Sequence, residues 1–252
     1  MDTDDDPPGR HYIEIETQGR LYWGYTSVPK PADVCCVASQ HSQPELALLG
    51  TAFHEAGHAV AAHHAGMPAT AVEISIQPSC GRCGARRTHG RNIGMQLDVA
   101  ATADQLLVLA AGVQAELLWA AEQGCADDAT RWAIEVGGLD DQHLARDIAS
   151  SVLIVWDALD YGPPGPDPRP WNWPHQEWRA RTGATAWWPQ IQALAVRLHQ
   201  ELRLEAADVR DLLDSVPVGS HGDIAAYGIG GARYVPPPAL PANPAPRKEA
   251  AP

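Results

Sequence analysis

The stretch SQPELALLGTAFHEAGHAVAAHHAGMP, residues 42–68, constrains this chain more than any other. Ser42-Gln-Pro-Glu45 reads as a capping box with proline tolerated in the first turn, and Gly66-Met-Pro68 reads as a stop. Together they predict one helix of about 22 residues. Inside it lies His54-Glu55-x-x-His58. Residues four apart on a helix share a face, so His54 and His58 can aim two ring nitrogens at one ion while Glu55 sits beside it. Two neutral imidazoles suit Zn²⁺, and the adjacent carboxylate suits the proton of a water that the ion activates.

The flanking Phe53, Ala56, Gly57, Ala59 and Val60 suit a buried helix, where histidines need partners. Glycine at 57 costs about 1 kcal/mol relative to alanine in a helix interior, which predicts that another element approaches closely there. His63 and His64 do not point along the His54/His58 direction. They fall in the last turn, where positive side chains complement the helix dipole, so they are read as structural.

Elsewhere the pattern is mostly helical. HYIEIETQGRLYWGYT (11–26) alternates on either side of Gln18-Gly19 and predicts a β-hairpin; TAVEISI (70–76) predicts a strand with Val72, Ile74 and Ile76 on one face. A second long helix should open at a capping box, Thr102-Ala-Asp-Gln105, and stop at Gly124. A short helix follows from Asp128 to Val136, and Asp140 or Asp141 should open the next. Residues 161–189 hold seven prolines and five tryptophans and are expected to form a long irregular excursion, the tryptophans serving either as a lid or as staples to the core. IQALAVRLHQEL and AADVRDLL close the pattern as helices. The expected fold is mainly α with a small β element and an N-terminal β-hairpin. It divides into a disordered acidic tail (1–10), hairpin and linker (11–41), a main domain (42–216) and a proline-rich tail (217–252).

A net charge of −13 with only two lysines, Lys30 and Lys248, excludes the basic face that nucleic acid requires. No apolar run approaches the roughly 20 residues that cross a bilayer, and the acidic start MDTDDDPPGR is unlike a secretory signal. A cytoplasmic protein with no membrane partner is expected. Five cysteines make no disulfide framework and are expected as isolated reduced thiols; the alternative is a second metal site, since Cys80-Gly-Arg-Cys83 has metal-knuckle spacing, with Cys35 and Cys36 as distant candidates for its second half.

Two histidines leave a zinc site short of a third protein ligand. Here TAFHEAGHAVAAHHAGMPATAVEISI (51–76) resembles the zinc-peptidase domain of the FtsH-type AAA proteases, with its HEAGHA helix and following strand. LAAGVQAELLWA (109–120) is similar to that family's AGRxAEE helix, with Leu117 in place of the second glutamate. GGLDDQHLARDIA (137–149) is similar to its GAxNDLxxAT segment, whose aspartate is the third ligand. Matched residue by residue, Asp141 takes that place and Asp140 stands where asparagine is usual. Asp140 and Glu116 remain the other candidate ligands.

The resemblance spans residues 44–216 and implies a helical zincin-like metallopeptidase. The family's GxxxxGK[ST] is not found, which predicts ATP-independent action on peptides or unfolded proteins, with an oligomer or an ATPase partner in trans left open. The expectation is a zinc endopeptidase in which His54, His58 and Asp141 hold Zn²⁺ and Glu55 is the general base. Its alternative is a catalytically silent, zinc-stabilised interaction module. The strand at 72–76 is the expected edge for binding an extended peptide.

Overall fold

Helix α1 (Pro44–His64) is enclosed by its neighbours on almost every side, and its small residues are what permit this. In the computed structural model, which describes residues 9–17, 20–32, 44–67, 69–79, 86–95, 101–155, 157–166 and 168–218, Ala52, Ala56, Val60, Ala61 and Ala62 have no solvent exposure. Helix α2 (Thr102–Glu122) crosses α1 at Gly57. A Cβ at Gly57 would stand 2.6 Å from the Ala111 carbonyl oxygen and 2.6 Å from Ala115 Cβ, so α2 is the element that approaches there. Phe53 of α1 stacks between Trp119 of α2 and Trp188, at centroid distances of 5.6 and 5.4 Å. Truncating so enclosed a ring costs about 3–5 kcal/mol.

The fold is mainly helical, with two small antiparallel sheets among the described residues, one of them the N-terminal hairpin β1 (His11–Thr17) and β2 (Arg20–Thr26). Ile13 of the hairpin packs with Trp132, Ala133, Val136 and Leu139, a small core of its own. Those residues belong to helix α3 (Asp128–Gly137) and the start of α4 (Leu139–Leu153). Asp127 caps α3 by accepting from Thr130 N at 2.7 Å. Gly138 precedes α4, so Asp140 and Asp141 lie in its first turn and do not cap it. The capping box at Thr102 is not formed either: Ala101 holds the cap position and no side chain bonds there.

The second sheet corrects the expected peptide edge. Strand β3 (Ala71–Ser79) lies between β4 (Arg86–Ile93) and β5 (Arg203–Glu205). Its Ala71–Glu73 segment pairs with Glu205–Arg203, and Ile74 N donates to Leu202 O at 2.9 Å, so among the described residues β3 is the central strand and β4 an edge. Val72 and Ile74 are buried as expected, but Ile76 runs past the core and is 48% exposed. The three residues of β5 also interrupt the closing stretch, which otherwise continues as α7 (Ala206–Ser215).

Residues 161–189 are irregular only as far as Asn172. Helices α5 (Trp173–Ala186) and α6 (Trp188–Glu201) occupy the rest. The prolines predicted otherwise, but Pro174 and Pro189 each fall in a first turn, where the missing N–H is not needed, and Asn172 Oδ1 caps α5 by accepting from His175 N at 3.0 Å. Trp173 and Trp187 are each 2% exposed, which makes them core staples. Helix α5 packs on α2 and α6 on α1.

Of the expected tails 1–10 and 217–252, residues 1–8 and 219–252 lie outside the described residues, as do the turn at Gln18-Gly19, the linker at 33–43 with Cys35, Cys36 and Ser42, and the pair Cys80 and Cys83; Arg10, expected in the first tail, instead pairs with Glu177. Cys125 is a free thiol. Among the described residues, no helix is long and apolar enough to cross a membrane.

Candidate metal centre

One helical turn separates His54 and His58 on α1, and each ring is held from behind. His54 Nδ1 lies 3.1 Å from Glu116 Oε2 on α2, and His58 Nδ1 lies 2.7 Å from the Val108 carbonyl oxygen. Both partners accept, so each ring keeps a proton on Nδ1 and presents Nε2 inward, as a donor to Asp141 when the ring is protonated and as a metal donor when it is neutral. Asp141 reaches the same point from α4, its Oδ2 3.2 Å from His54 Nε2 and 3.2 Å from His58 Nε2. The three ligand atoms lie within 4.8 Å of one another.

Gly112 of α2 forms the floor. A Cβ there would fall 2.3 Å from His58 Nε2 and 2.6 Å from His54 Nε2, inside the space on which the three ligands converge. A side chain at that position would fill the cradle.

Glu55 is 6% exposed and faces β4. Asn92 Nδ2 donates to Glu55 Oε2 at 2.7 Å and to the Glu55 carbonyl at 3.2 Å. Gly90 lets the strand pass directly over this carboxyl: a Cβ on it would stand 2.3 Å from Glu55 Cγ. Neither a protein-family model nor a curated protein matches the chain.

The charges are tightly coupled. Burial alone would lower His54, but its bonds with Asp141 and Glu116 outweigh burial and carry it well above the usual imidazole range. Burial likewise opposes protonation of His58, and Asp141 reverses that. Asp141 itself, although largely shielded from solvent, is held well below the usual carboxylate range by His58 and His54. Burial pushes Glu55 up to about 7 against the pull of both histidines. These groups are a carboxylate clamped between two imidazoles, beside a carboxyl poised near neutrality.

The donor set fits Zn²⁺. Two ligands about 2.05 Å from a tetrahedral ion stand about 3.3 Å apart, close to both Asp141–histidine separations, while the set as a whole spans up to 4.8 Å and would have to draw together around an ion. Two nitrogens and one oxygen leave a fourth position open, as catalytic zinc sites do. The structure thus brings His54, His58 and Asp141 together. Glu116 lies behind His54 on the far ring nitrogen, and Asp140 is not in the group. His64 stacks on Trp187 at 4.6 Å and contacts Gln190 Oε1 at 2.8 Å, while His63 pairs with Asp214 at 3.7 Å, both apart from the site. Asn92, Gly90, Gly112 and the Val108 carbonyl went unread in the sequence. The signal that could have pointed to the glycines is the rarity with which helix and strand interiors tolerate glycine without a close neighbour.

Proposed function

We propose that this chain is a zinc-dependent endopeptidase. The single observation that carries the reading is the convergence of two imidazole Nε2 atoms and one carboxylate oxygen beside a second, buried carboxyl that is not part of the ligand set. A purely structural zinc site needs a fourth ligand and has no use for such a carboxyl.

Zn²⁺ bound here would supply Lewis acidity to the scissile carbonyl and bring the pKa of water down to near 7. Glu55 takes the proton of the attacking water and delivers it to the leaving amine. Asn92 fixes which way the Glu55 carboxyl faces, and Glu116 and the Val108 carbonyl fix the two rings. The peptide's place follows from the sheet: β4 pairs with β3 on one side, is an edge of the described sheet, and runs over Glu55. An extended substrate laid along that edge, in place of the expected β3, brings its backbone to the general base. The substrate class on this reading is peptides and unfolded segments, laid along the strand as extended chain.

The test compares wild type with Glu55→Gln for zinc content and for casein cleavage. Zinc should stay near one per chain in both, while hydrolysis falls by roughly 10² or more in the variant. Full zinc with no cleavage by either protein would leave a binding module and overturn the peptidase reading.

A further inference from the structure

Asp141 approaches the histidines from α4, and the next residue in the chain ties α4 to the N-terminal hairpin. Gln142 is 3% exposed, and its amide pairs with both backbone groups of one strand residue. Its Nε2 donates to the Tyr25 carbonyl at 3.0 Å, and its Oε1 accepts from Tyr25 N at 3.2 Å. One turn further along α4, Arg146 donates from Nη2 to the Trp23 carbonyl at 2.9 Å, and its guanidinium lies 3.4 Å from the centre of the Trp23 ring. The Tyr161 hydroxyl joins the two, accepting from Arg146 Nη2 at 3.4 Å and donating to Gln142 Oε1 at 3.3 Å.

The spacings match. Trp23 and Tyr25, two apart on β2, lie about 6.7 Å apart along the strand, and Gln142 and Arg146, four apart on α4, about 6 Å along the helix. Since β1 takes one edge of β2, these side chains serve the other edge as a third strand would. Gly24, between them, lets the helix come this close: a Cβ there would stand 2.5 Å from Gln142 Oε1 and 2.8 Å from Leu139 Cδ2. Apolar packing of α4 through the buried Ala145 and Ala149 is non-directional, whereas a two-way amide pair is directional and fixes the register of the helix against the strand.

We propose that Gln142 and Arg146 are positioning residues for the third metal ligand, through which the N-terminal hairpin sets how tightly the site holds its ion. The inference rests on the zinc reading above. A ligand oxygen must arrive within about 0.2 Å of its bonding distance, so a small slip of α4 costs affinity without removing any ligand.

The experiment measures Zn²⁺ affinity against a competing chelator, and the visible spectrum of the Co²⁺-substituted protein, for wild type, Gln142→Leu, Arg146→Lys and Ser27→Ala. Ser27 ties the hairpin to Glu135 of α3 and does not touch α4, so its variant controls for a loosened hairpin. Thermal midpoints of the metal-free proteins are taken in parallel. Gln142→Leu should weaken zinc by about 10- to 100-fold and alter the cobalt bands. Arg146→Lys, which keeps the charge, should shift both in the same direction by less and serves as the second variant if Gln142→Leu does not fold. Ser27→Ala should leave both near wild type whatever it does to the midpoint. Wild-type affinity and spectrum in the α4 variants, or an equal loss in Ser27→Ala, would overturn the inference alone. A wild-type chain that takes up no zinc would overturn the metal centre and this inference with it.

Discussion

Asn92 Nδ2 stands 2.7 Å from Glu55 Oε2 and 3.2 Å from the carbonyl of the same residue, so one amide on an edge strand holds both the side chain and the backbone of the proposed base. The bond favours the charged carboxylate and opposes burial, which pushes the group up. Asn92→Ala should leave zinc content unchanged, lower kcat/KM by about tenfold, and move the acid limb of the pH profile upward, because Glu55 then ionises less readily. A pH–rate profile of the variant checks this; an unmoved acid limb would show that Asn92 does not act through Glu55.

Gly112→Ala tests the cradle without touching a ligand. Alanine favours a helix by about 1 kcal/mol over glycine, yet its methyl would lie 2.3 Å from His58 Nε2. The variant should keep its helical circular dichroism while zinc binding weakens by about 10² or more. Gly137→Ala, where a Cβ meets nothing within 4 Å, should bind as wild type.

Neighbouring aspartates should differ. Asp141→Asn replaces an anionic ligand by a neutral amide and should weaken zinc strongly, whereas Asp140→Asn should change it little. Glu116→Ala, which frees the back of His54, should cost about 10-fold, and Glu116→Gln less because an acceptor remains. Chelator competition on the four variants checks the order; a loss larger in Asp140→Asn than in Asp141→Asn would refute the ligand assignment.

The pH dependence has a definite sign. In the metal-free protein, His54 and His58 sit above their ordinary value, so the stability they contribute is complete below about pH 6.5 and is lost as pH rises through their folded values. Glu55, raised to about 7, adds a loss between roughly pH 4.5 and 7, since its unfolded form ionises first. Asp141, held low, contributes above about pH 3.9 and loses that contribution only in stronger acid. Zinc needs the neutral imidazoles, so its affinity and the Tm gain it confers should grow from about pH 6 to 8. Tm measured with and without Zn²⁺ across that range decides; a gain that shrinks would contradict the assignment.

Local signals were readable. The stop at Gly66, the spacing of His54 and His58, and the alternation in 11–26 each need only a few neighbouring residues, and each corresponds to an element of the fold. Asp141 emerged from the matched segment 137–149, because nothing about Asp-Asp in isolation separates a ligand from a first-turn carboxylate. Position within an element was harder: Pro174 and Pro189 count as breakers by composition and as helix starters by place. Strand β4, RRTHGRNI, has no apolar alternation, because its pairing with β3 and its packing over α1 hold it in place. Gln142 and Arg146 find their partners more than a hundred residues away, which no local pattern encodes.

That separation also bears on how the chain acquires its structure. The hairpin is a local element that can close within microseconds, yet the outer edge of β2 stays open until residues 142 and 146 arrive from the far side of α1 and α2. An unpaired edge waiting on a long-range contact is a template for another chain, so self-association during refolding should start there and fall as α4 docks. The expected order in refolding is then hairpin first and metal-binding geometry last, with the docking of one glutamine side chain closing both.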